Sequence, residues 1–152
     1  MKVKEIMARD IETAHPNQTV REIAQKMDRQ GIGYFPVTDH GRLVGIVTDR
    51  DITCRVVADG LDPVATRLRQ VMSKGAAYCF DHDQLDAAVL LMEQNRIRRI
   101  PVLDRDEQLV GILSLTDIAR EAPHRLTAAL VEAVARETPL SVTINPAAEI
   151  LK

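Results

Sequence analysis

The stretch Leu43–Ile52 reads LVGIVTDRDI, and it returns at Leu109–Ile118 as LVGILSLTDI, 66 residues further along the 152-residue chain. Upstream of these stretches the repeat continues with an offset of 65 residues, in the pairs Met7 and Met72, Met27 and Met92, and Pro36 and Pro101. One inserted residue in the turn at 105–108 explains the change of offset, because surface turns tolerate insertions. The sequence therefore contains two copies of one structural unit.

Each copy has the pattern of a βαββα unit. A short apolar segment comes first, apolar residues then recur at helical spacing, and two strands joined by a polar turn follow. Thr19 and Glu22 form a capping-box sequence at the start of the first helix, Gly31 suits its end, and Asp83 is the predicted N-cap in the second copy. The predicted elements are strands Ile11–Ala14, Phe35–Thr38 and Leu43–Val47 with helices from Thr19 and Asp49, and strands Ala77–Phe80, Ile100–Leu103 and Leu109–Leu113 with helices from Asp83 and Leu115.

The two units are predicted to pack on each other. A unit of two helices and three strands cannot bury both faces of its sheet alone, whereas a pair of units can. We therefore expect an α/β (α+β) fold in which two repeats form a pseudo-twofold pair, with equivalent clefts on either side of the axis. The predicted division is 1–60 for the first repeat, 61–122 for a linker and the second repeat, and 123–152 for a C-terminal helix and tail. Within it, Ala65–Val71 is a predicted linking helix, Leu126–Arg136 a predicted amphipathic helix, and Pro139 and Pro146 bracket a predicted loose tail.

Composition excludes several classes of protein. The net charge of −2 argues against a nucleic-acid binder, which needs an excess of Lys and Arg. No segment resembles a signal peptide or the ~18–20 apolar residues of a membrane span, so we expect a cytoplasmic protein without a membrane partner. Cys54 and Cys79 form no paired motif, which predicts free thiols. Cys79 and His82 have a metal-like spacing, but two ligands are weak support, and no metal site is expected.

One motif of each copy carries chemistry. It consists of Gly, two apolar residues, Ser or Thr, two variable residues and Asp, at Gly45–Asp51 and at Gly111–Asp117. Ser or Thr followed three residues later by an acidic residue is close to a capping box, which needs no ligand. The same geometry suits a ligand, because a helix start presents unpaired N–H groups and a carboxylate can accept hydrogen bonds from both hydroxyls of a ribose. The spacing leaves both interpretations open.

Four segments, by their order and duplication, resemble a tandem pair of CBS domains, the regulatory modules named after cystathionine β-synthase and also called Bateman modules. The segments are VKEIMARDIETAHPNQTVREIAQKM, GIGYFPVTDHGRLVGIVTDRDI, LRQVMSKGAAYCFDHDQLDAAVLLM and NRIRRIPVLDRDEQLVGILSLTDIARE, and together they cover about Lys2 to Glu121, roughly four-fifths of the chain. The short linker and the lack of a catalytic segment are similar to small stand-alone bacterial members, including hypoxia- and dormancy-associated proteins. The resemblance implies a non-catalytic sensor that binds AMP, ADP, ATP or S-adenosylmethionine and dimerises into a flat disk.

The resemblance also implies which residues hold the ligand. Asp51 and Asp117 would hold the ribose, with Thr48 and Ser114 beside them. Adenine would lie against Ile11–Thr13 and Tyr34–Pro36 in one cleft and against Ala77–Cys79 and Arg99–Pro101 in the other. The candidate contacts to adenine are thus Ile11, Thr13, Tyr34, Phe35, Pro36, Ala77, Cys79, Arg99, Ile100 and Pro101.

Basic residues distinguish the two copies. Arg98 and Arg99 precede Ile100, whereas the first copy has Gly33 and Tyr34 at the corresponding positions. The resemblance implies that basic residues at this place contact phosphates near the axis, and Arg50 is a further candidate for that role. The alternative is that these arginines lie on a solvated surface. If only one copy supplies the cations, the two clefts should differ in their affinity for charged ligands.

Three classes of function compete. An enzyme is the least supported class, since no Ser–His–Asp set, glycine-rich phosphate loop or group of metal ligands is visible. The favoured interpretation is a homodimeric sensor that requires no cofactor, takes an adenine nucleotide as its regulatory ligand and acts on an unidentified protein target. The alternative is a ligand-free dimerisation or protein-docking scaffold whose clefts are vestigial.

Overall fold

Each repeat is built on an antiparallel pair of strands that leads directly into a helix. The computed structural model describes residues 1–136. The first repeat contains helix α1 (Val20–Gln30), strands β1 (Tyr34–Asp39) and β2 (Arg42–Thr48), and helix α2 (Asp49–Ile52), which continues as a π-helical turn at Thr53–Val57. A linker with the short helix α3 (Leu68–Val71) precedes the second repeat, which contains β3 (Cys79–Phe80), α4 (Leu85–Asn95), β4 (Arg99–Leu103), β5 (Leu109–Ser114), α5 (Leu115–Glu121) and α6 (His124–Ala135).

Most predicted elements of the βαββα pattern are confirmed. Both hairpins and both helices that follow them begin within one residue of the predicted positions. The linking helix is shorter than predicted and forms only at Leu68–Val71, while α6 begins two residues earlier than predicted, at His124. The predicted tail, with Pro139 and Pro146, lies outside the described residues.

The two main helices begin and end differently. At the start of α1 the hydroxyl of Thr19 accepts from the Glu22 amide, as predicted, and Gly31 ends the helix with φ 64°. The predicted N-cap of α4 is wrong. Gln84 occupies that position without a side-chain cap, because the Asp83 carboxylate turns back to accept from the Phe80 amide at 2.8 Å.

The first strand of each unit is much shorter than predicted. In the first repeat only Ala14 pairs with β1, donating to the Pro36 carbonyl and accepting from the Thr38 amide. Extension of this parallel pairing toward residue 12 needs an N–H donor at Pro36, and proline has none. Pro101 has the same effect in the second repeat, where the pairing is limited to β3. The predicted strand Ile11–Ala14 is therefore wrong, and Ala77–Phe80 is reduced to its last two residues.

The segment that precedes each repeat packs on the other repeat. Val3 and Met7 are buried in the hydrophobic core of the second repeat, and Leu68 and Met72 are buried in the core of the first. Two pairs of backbone hydrogen bonds fix this exchange, one between Ala8 and Ile112 and the other between Ser73 and Ile46. Main-chain hydrogen bonds therefore join the two repeats at two places, and these places correspond to each other in the two copies.

The glycine of each LVGI stretch is required by this exchange. A Cβ on Gly45 would stand 2.8 Å from the Met72 sulfur and 2.9 Å from the Ser73 carbonyl oxygen. A Cβ on Gly111 would stand 2.9 Å from the Met7 sulfur and 2.7 Å from the Ala8 carbonyl oxygen. Because contacts under 3 Å are strongly repulsive, a side chain at either position would push away the segment from the other repeat.

Helix α6 completes the core of the second repeat. It packs against α4 and α5, and it buries Leu126, Leu130 and Val134 in the same cluster that holds Leu113 and Ile118. Burial of a leucine side chain of this kind contributes about 1.5–3 kcal/mol. The second repeat therefore has a larger core than the first.

Candidate functional site

Ser114 and Asp117 form a capping box at the start of α5. The Ser114 hydroxyl accepts from the Asp117 amide at 3.2 Å, and the Oδ2 atom of Asp117 accepts from the Ser114 amide at 2.9 Å and from its hydroxyl at 2.6 Å. All three contacts leave the second carboxylate oxygen, Oδ1, without a hydrogen bond among the described residues. Capping and ligand binding are thus compatible, because they use different oxygens of one carboxylate.

Asp117 lines a cleft of about 600 Å³, within the usual size of small-molecule sites. The cleft is lined by both repeats. Ile11, Tyr34 and Phe35 come from the first repeat, and Arg99 joins Ser114 and Asp117 from the second. This grouping is tertiary information, since the sequence did not indicate which apolar segment meets which aspartate.

Six further residues line this cleft. Glu12 lies within the predicted range Ile11–Thr13 and Ile112 within the motif Gly111–Asp117, whereas sequence reasoning did not identify the other four as contacts: Ala8, Asp10, Gln30 and Ile32. Ala8 and Ile112 are brought there by their mutual hydrogen bonds, which no local pattern predicts. Glu12 accepts from Gln30 and lies 3.0 Å from the Lys26 ammonium group. Its hydrogen bonds to Gln30 and then to Lys26 lower the pKa of Glu12. The cleft therefore carries a carboxylate at its edge that stays ionised at neutral pH.

Arg99 and Tyr34 form a cation–π pair at this cleft. The guanidinium carbon of Arg99 stands 5.7 Å from the centre of the Tyr34 ring. Burial raises the pKa of Tyr34, and the nearby Arg99 charge opposes that rise only in part. Tyr34 therefore keeps its hydroxyl proton at physiological pH, and it lines the cleft as a neutral aromatic residue.

The corresponding motif of the first repeat has the same capping geometry with different surroundings. The Thr48 hydroxyl accepts from the Asp51 amide at 3.2 Å, and the Oδ2 atom of Asp51 accepts from the Thr48 amide at 2.9 Å. The Oδ1 atom accepts from the Ser73 hydroxyl at 3.4 Å and lies 3.7 Å from the Arg55 guanidinium group. The Asp51 side chain is only 12% exposed.

Several other predicted contacts have their side chains in the core or on the surface. Cys79 and Ile100 belong to the core of the second repeat, Pro36 and Pro101 are buried, and Ala77 is half-buried. Thr13 lines two neighbouring hollows and is absent from the residues lining the Asp117 cleft. The side chains of Arg50 and Arg98 are exposed, and the Arg98 carbonyl accepts from the Leu115 amide at 2.8 Å, which ties β4 to the start of α5.

Two properties bear on metals and membranes. Burial raises the pKa of the Cys79 thiol to about 12, so the thiolate form that metals bind is strongly disfavoured at neutral pH. Within residues 1–136, no group of three or more His, Cys, Asp and Glu side chains is arranged to hold a metal ion. In the same range, no helix has both the length and the apolar character needed to cross a bilayer.

Comparisons with known proteins agree with this architecture. The CBS domain family model matches residues 3–57 and 68–124. The CBS domain-containing protein YhcV of Bacillus subtilis is 40% identical over 117 residues, which are 77% of this chain and 82% of that protein. Hypoxic response protein 1 of Mycobacterium tuberculosis is 31% identical over 132 residues, which are 86% of this chain and 92% of that protein.

Solved structures give the same result. The crystal structure of Hypoxic Response Protein I with two coordinated zinc ions superposes with a TM-score of 0.73 at 31% identity, covering 81% of this chain and all of the other. A CBS domain pair in complex with 5′-methylthioadenosine and S-adenosyl-L-methionine superposes with a TM-score of 0.68 at 29% identity, covering 79% of this chain and 94% of the other. With both repeats matched in sequence and in fold, the chain belongs to the CBS domain family as a tandem pair.

Proposed function

We propose that this chain is a non-catalytic regulatory module that binds an adenosine-containing ligand, AMP, ADP, ATP or S-adenosylmethionine, between its two CBS repeats. The observation that carries the proposal is that Oδ1 of Asp117 accepts no hydrogen bond from residues 1–136, while Asp117 lines a cleft to which the other repeat contributes an apolar wall. The related CBS pair that was crystallised with 5′-methylthioadenosine and S-adenosylmethionine supports the same class of ligand.

In the proposed complex, the ribose lies against α5 and the adenine lies against the first repeat. The ribose hydroxyls donate to Oδ1 of Asp117, and hydrogen bonds to an ionised acceptor contribute about 1.5–3 kcal/mol each. The base packs between Ile11 and Ile112 and against the Tyr34 ring, where apolar and aromatic surface replaces water. The capping bonds of Asp117 remain intact because they use Oδ2.

Contacts to the phosphate or carboxylate groups of the ligand, beyond its ribose, are assigned to arginine side chains. Arg99 lines the cleft and is the first candidate for a phosphate or carboxylate contact. Arg98, the residue before β4, and Arg50, at the start of α2, are further candidates. A guanidinium group binds phosphate oxygens in a bidentate manner. The proposed second cleft is built on Thr48 and Asp51, with the half-buried Ala77 and the backbone of Cys79, Ile100 and Pro101 forming its wall.

A ligand in the Asp117 cleft links the two repeats, because the lining residues belong to both. Binding therefore favours whichever arrangement of the repeats closes the cleft, and it shifts that equilibrium by the difference in affinity between open and closed arrangements. The proposed output is this change in orientation, transmitted through a homodimer in the cytoplasm to a protein target. Analytical ultracentrifugation of the full chain tests the dimer.

A thermal-unfolding screen tests the function. A ligand at about 100 times its dissociation constant stabilises the fold by roughly 2.7 kcal/mol, which raises the Tm of a chain of this size by roughly 5–10 °C. We expect that rise with an adenine nucleotide or S-adenosylmethionine and its loss in Asp117→Asn, where the amide oxygen still caps α5 but the charge is gone. No response of the wild type to any of these compounds would overturn the proposal in favour of the ligand-free scaffold.

A further inference from the structure

The two ribose-binding aspartates of the proposed function differ in whether their outer oxygen is already used. Oδ1 of Asp117 accepts no hydrogen bond from residues 1–136, whereas Oδ1 of Asp51 accepts from the Ser73 hydroxyl and faces the Arg55 guanidinium group. Both carboxylates make the same capping bond through Oδ2. The outer oxygens, which a ligand would contact, therefore differ in their partners.

The sequence explains why only one repeat has these contacts. With the offsets of the repeat, the position of Arg55 is held by Glu121 in the second copy, and the position of Ser73 is held by Ala8. Neither Glu121 nor Ala8 can donate a side-chain hydrogen bond to Asp117 at neutral pH. The asymmetry is thus associated with two positions at which the side chains differ between the copies.

Arg55 is held in place by a second contact. Its guanidinium group donates to the Val71 carbonyl at 2.7 Å, at the end of α3. The chain around Arg55 is wound as the π-helical turn Thr53–Val57, closed by the hydrogen bond from the Ala58 amide to the Thr53 carbonyl at 3.0 Å. The corresponding segment of the second repeat, α5, is an ordinary α-helix. Arg55 therefore bridges Asp51 and the linker that carries Ser73.

We propose that Arg55 and Ser73 form an internal lock on the Asp51 cleft, so that each chain takes one adenosine ligand, at Asp117, at concentrations that leave the Asp51 cleft empty. This inference rests on the proposed function and adds its stoichiometry. A ribose at Asp51 has to compete with the hydrogen bond from Ser73 and with the ion-pair contact to Arg55, so binding there gains less than at Asp117. Opening the lock releases the Arg55 guanidinium group from the Val71 carbonyl at the end of α3. The Asp51 cleft is therefore a second, low-affinity site that fills only at higher ligand concentration.

Isothermal titration calorimetry of the full chain tests the lock, with AMP and S-adenosylmethionine as the probes. We expect one site per wild-type chain, and a second site with more than tenfold improved affinity in the double variant Arg55→Met and Ser73→Ala. Arg69→Met is the matched control, since it removes a charge from α3 at an exposed position that makes no contact with Asp51. Two equal sites in the wild type, or one site in the folded double variant, would overturn the lock.

A double-mutant cycle tests the interaction between Arg55 and Asp51 in the absence of ligand. Arg55→Met should lower the urea midpoint of unfolding more in the wild-type background than in Asp51→Asn, because the variant amide no longer attracts the guanidinium group. Equal effects in both backgrounds would show that the pair is uncoupled and would overturn the lock. If coupling is present but neither probe binds the wild type, the proposed function fails and the lock stands as a structural contact.

Discussion

Gly111 lies so close to Ala8 that a Cβ atom on the glycine would stand 2.7 Å from the Ala8 carbonyl oxygen. The two residues belong to different repeats, and Ala8 exchanges two hydrogen bonds with Ile112, the neighbour of Gly111. The closeness of this approach holds the segment before the first repeat against the hairpin of the second. It also forms one corner of the Asp117 cleft, which both Ala8 and Ile112 line.

We predict that Gly111→Ala destabilises the protein by about 1–3 kcal/mol, the usual cost of overpacking. The backbone of Gly111 is not in the left-handed region, so the loss comes from the clash alone. Gly60→Ala is the control, because its position has a positive φ but open space around it, and its cost should stay near 1 kcal/mol. Urea unfolding measures both. Equal losses would contradict a steric role for Gly111.

Leu130 and Val131 are adjacent on α6 and should respond differently to truncation. Leu130 is 0% exposed within the core of the second repeat, whereas Val131 is 47% exposed. Leu130→Ala should lower the free energy of unfolding by about 2–5 kcal/mol, because it leaves a cavity. Val131→Ala should change it by less than about 0.5 kcal/mol. If both variants unfold at the wild-type urea concentration, α6 is not part of the cooperative core.

The Cys79 thiol predicts a loss of stability at high pH. Burial raises its pKa from the ordinary value of 9.0 to about 12, so the unfolded chain loses the proton first as the pH rises. The contribution is fully present below pH 9 and declines between pH 9 and 12, by about 1.4 kcal/mol per pH unit at most. Unfolding midpoints at pH 8 and pH 10 should therefore differ less in Cys79→Ala than in the wild type. The same slope in both would contradict the buried thiol as a cause.

The two cysteines should also differ in reactivity. Cys54 is exposed and Cys79 is buried, and only a thiolate that solvent can reach reacts readily with a disulfide reagent. We expect one thiol per chain to react with Ellman's reagent under native conditions, and two after denaturation. Cys54→Ser should abolish the native reaction. Rapid labelling of both thiols in the folded wild type would contradict the burial of Cys79.

The charge around the Asp117 cleft predicts a preference among adenosine ligands. Asp10 and Glu12 line the cleft, and Arg99 is the cation among the lining residues. Each added phosphate should therefore weaken binding, from AMP to ADP to ATP, while the positively charged S-adenosylmethionine is favoured. Asp10→Asn should improve ATP binding a few-fold and leave 5′-methylthioadenosine unchanged. Calorimetry at low salt checks this, and tightest binding of ATP in both proteins would contradict it.

Much of the fold was predictable from local pattern and from the repeat. The helical spacing in α1 and α4, the hairpins and the two capping motifs follow from residue type and spacing. The first strands were predicted too long, because the pattern shows apolar residues but not the partner. Only the pairing with Pro36 and Pro101 shows that a donor is missing. The prediction that Asp83 caps α4 was wrong for a similar reason, since its carboxylate accepts from the Phe80 amide and closes a turn instead.

The sequence predicted the types of residue at the candidate site but not which segments of the chain come together to form it. Ser114 and Asp117 were identified by motif, but their neighbours Ile11, Tyr34 and Asp10 come from the other repeat. No sequence pattern indicates Ser73 at Asp51, because a hydrogen bond across 22 residues leaves no periodic signal. Arg55 stands four residues after Asp51, a helical spacing that the sequence does show.

The amino-acid sequence by itself determined that the protein is a pair of like units, each ending a hairpin in a capped helix with an acidic residue. Those features depend on residues a few positions apart, and short-range preferences encode them. Only the tertiary structure decided that Oδ1 of Asp51 accepts from Ser73 while Oδ1 of Asp117 accepts no hydrogen bond from residues 1–136. Ser73 lies 22 residues from Asp51, and its approach depends on how the linker segment packs on the first repeat, which no short-range preference encodes.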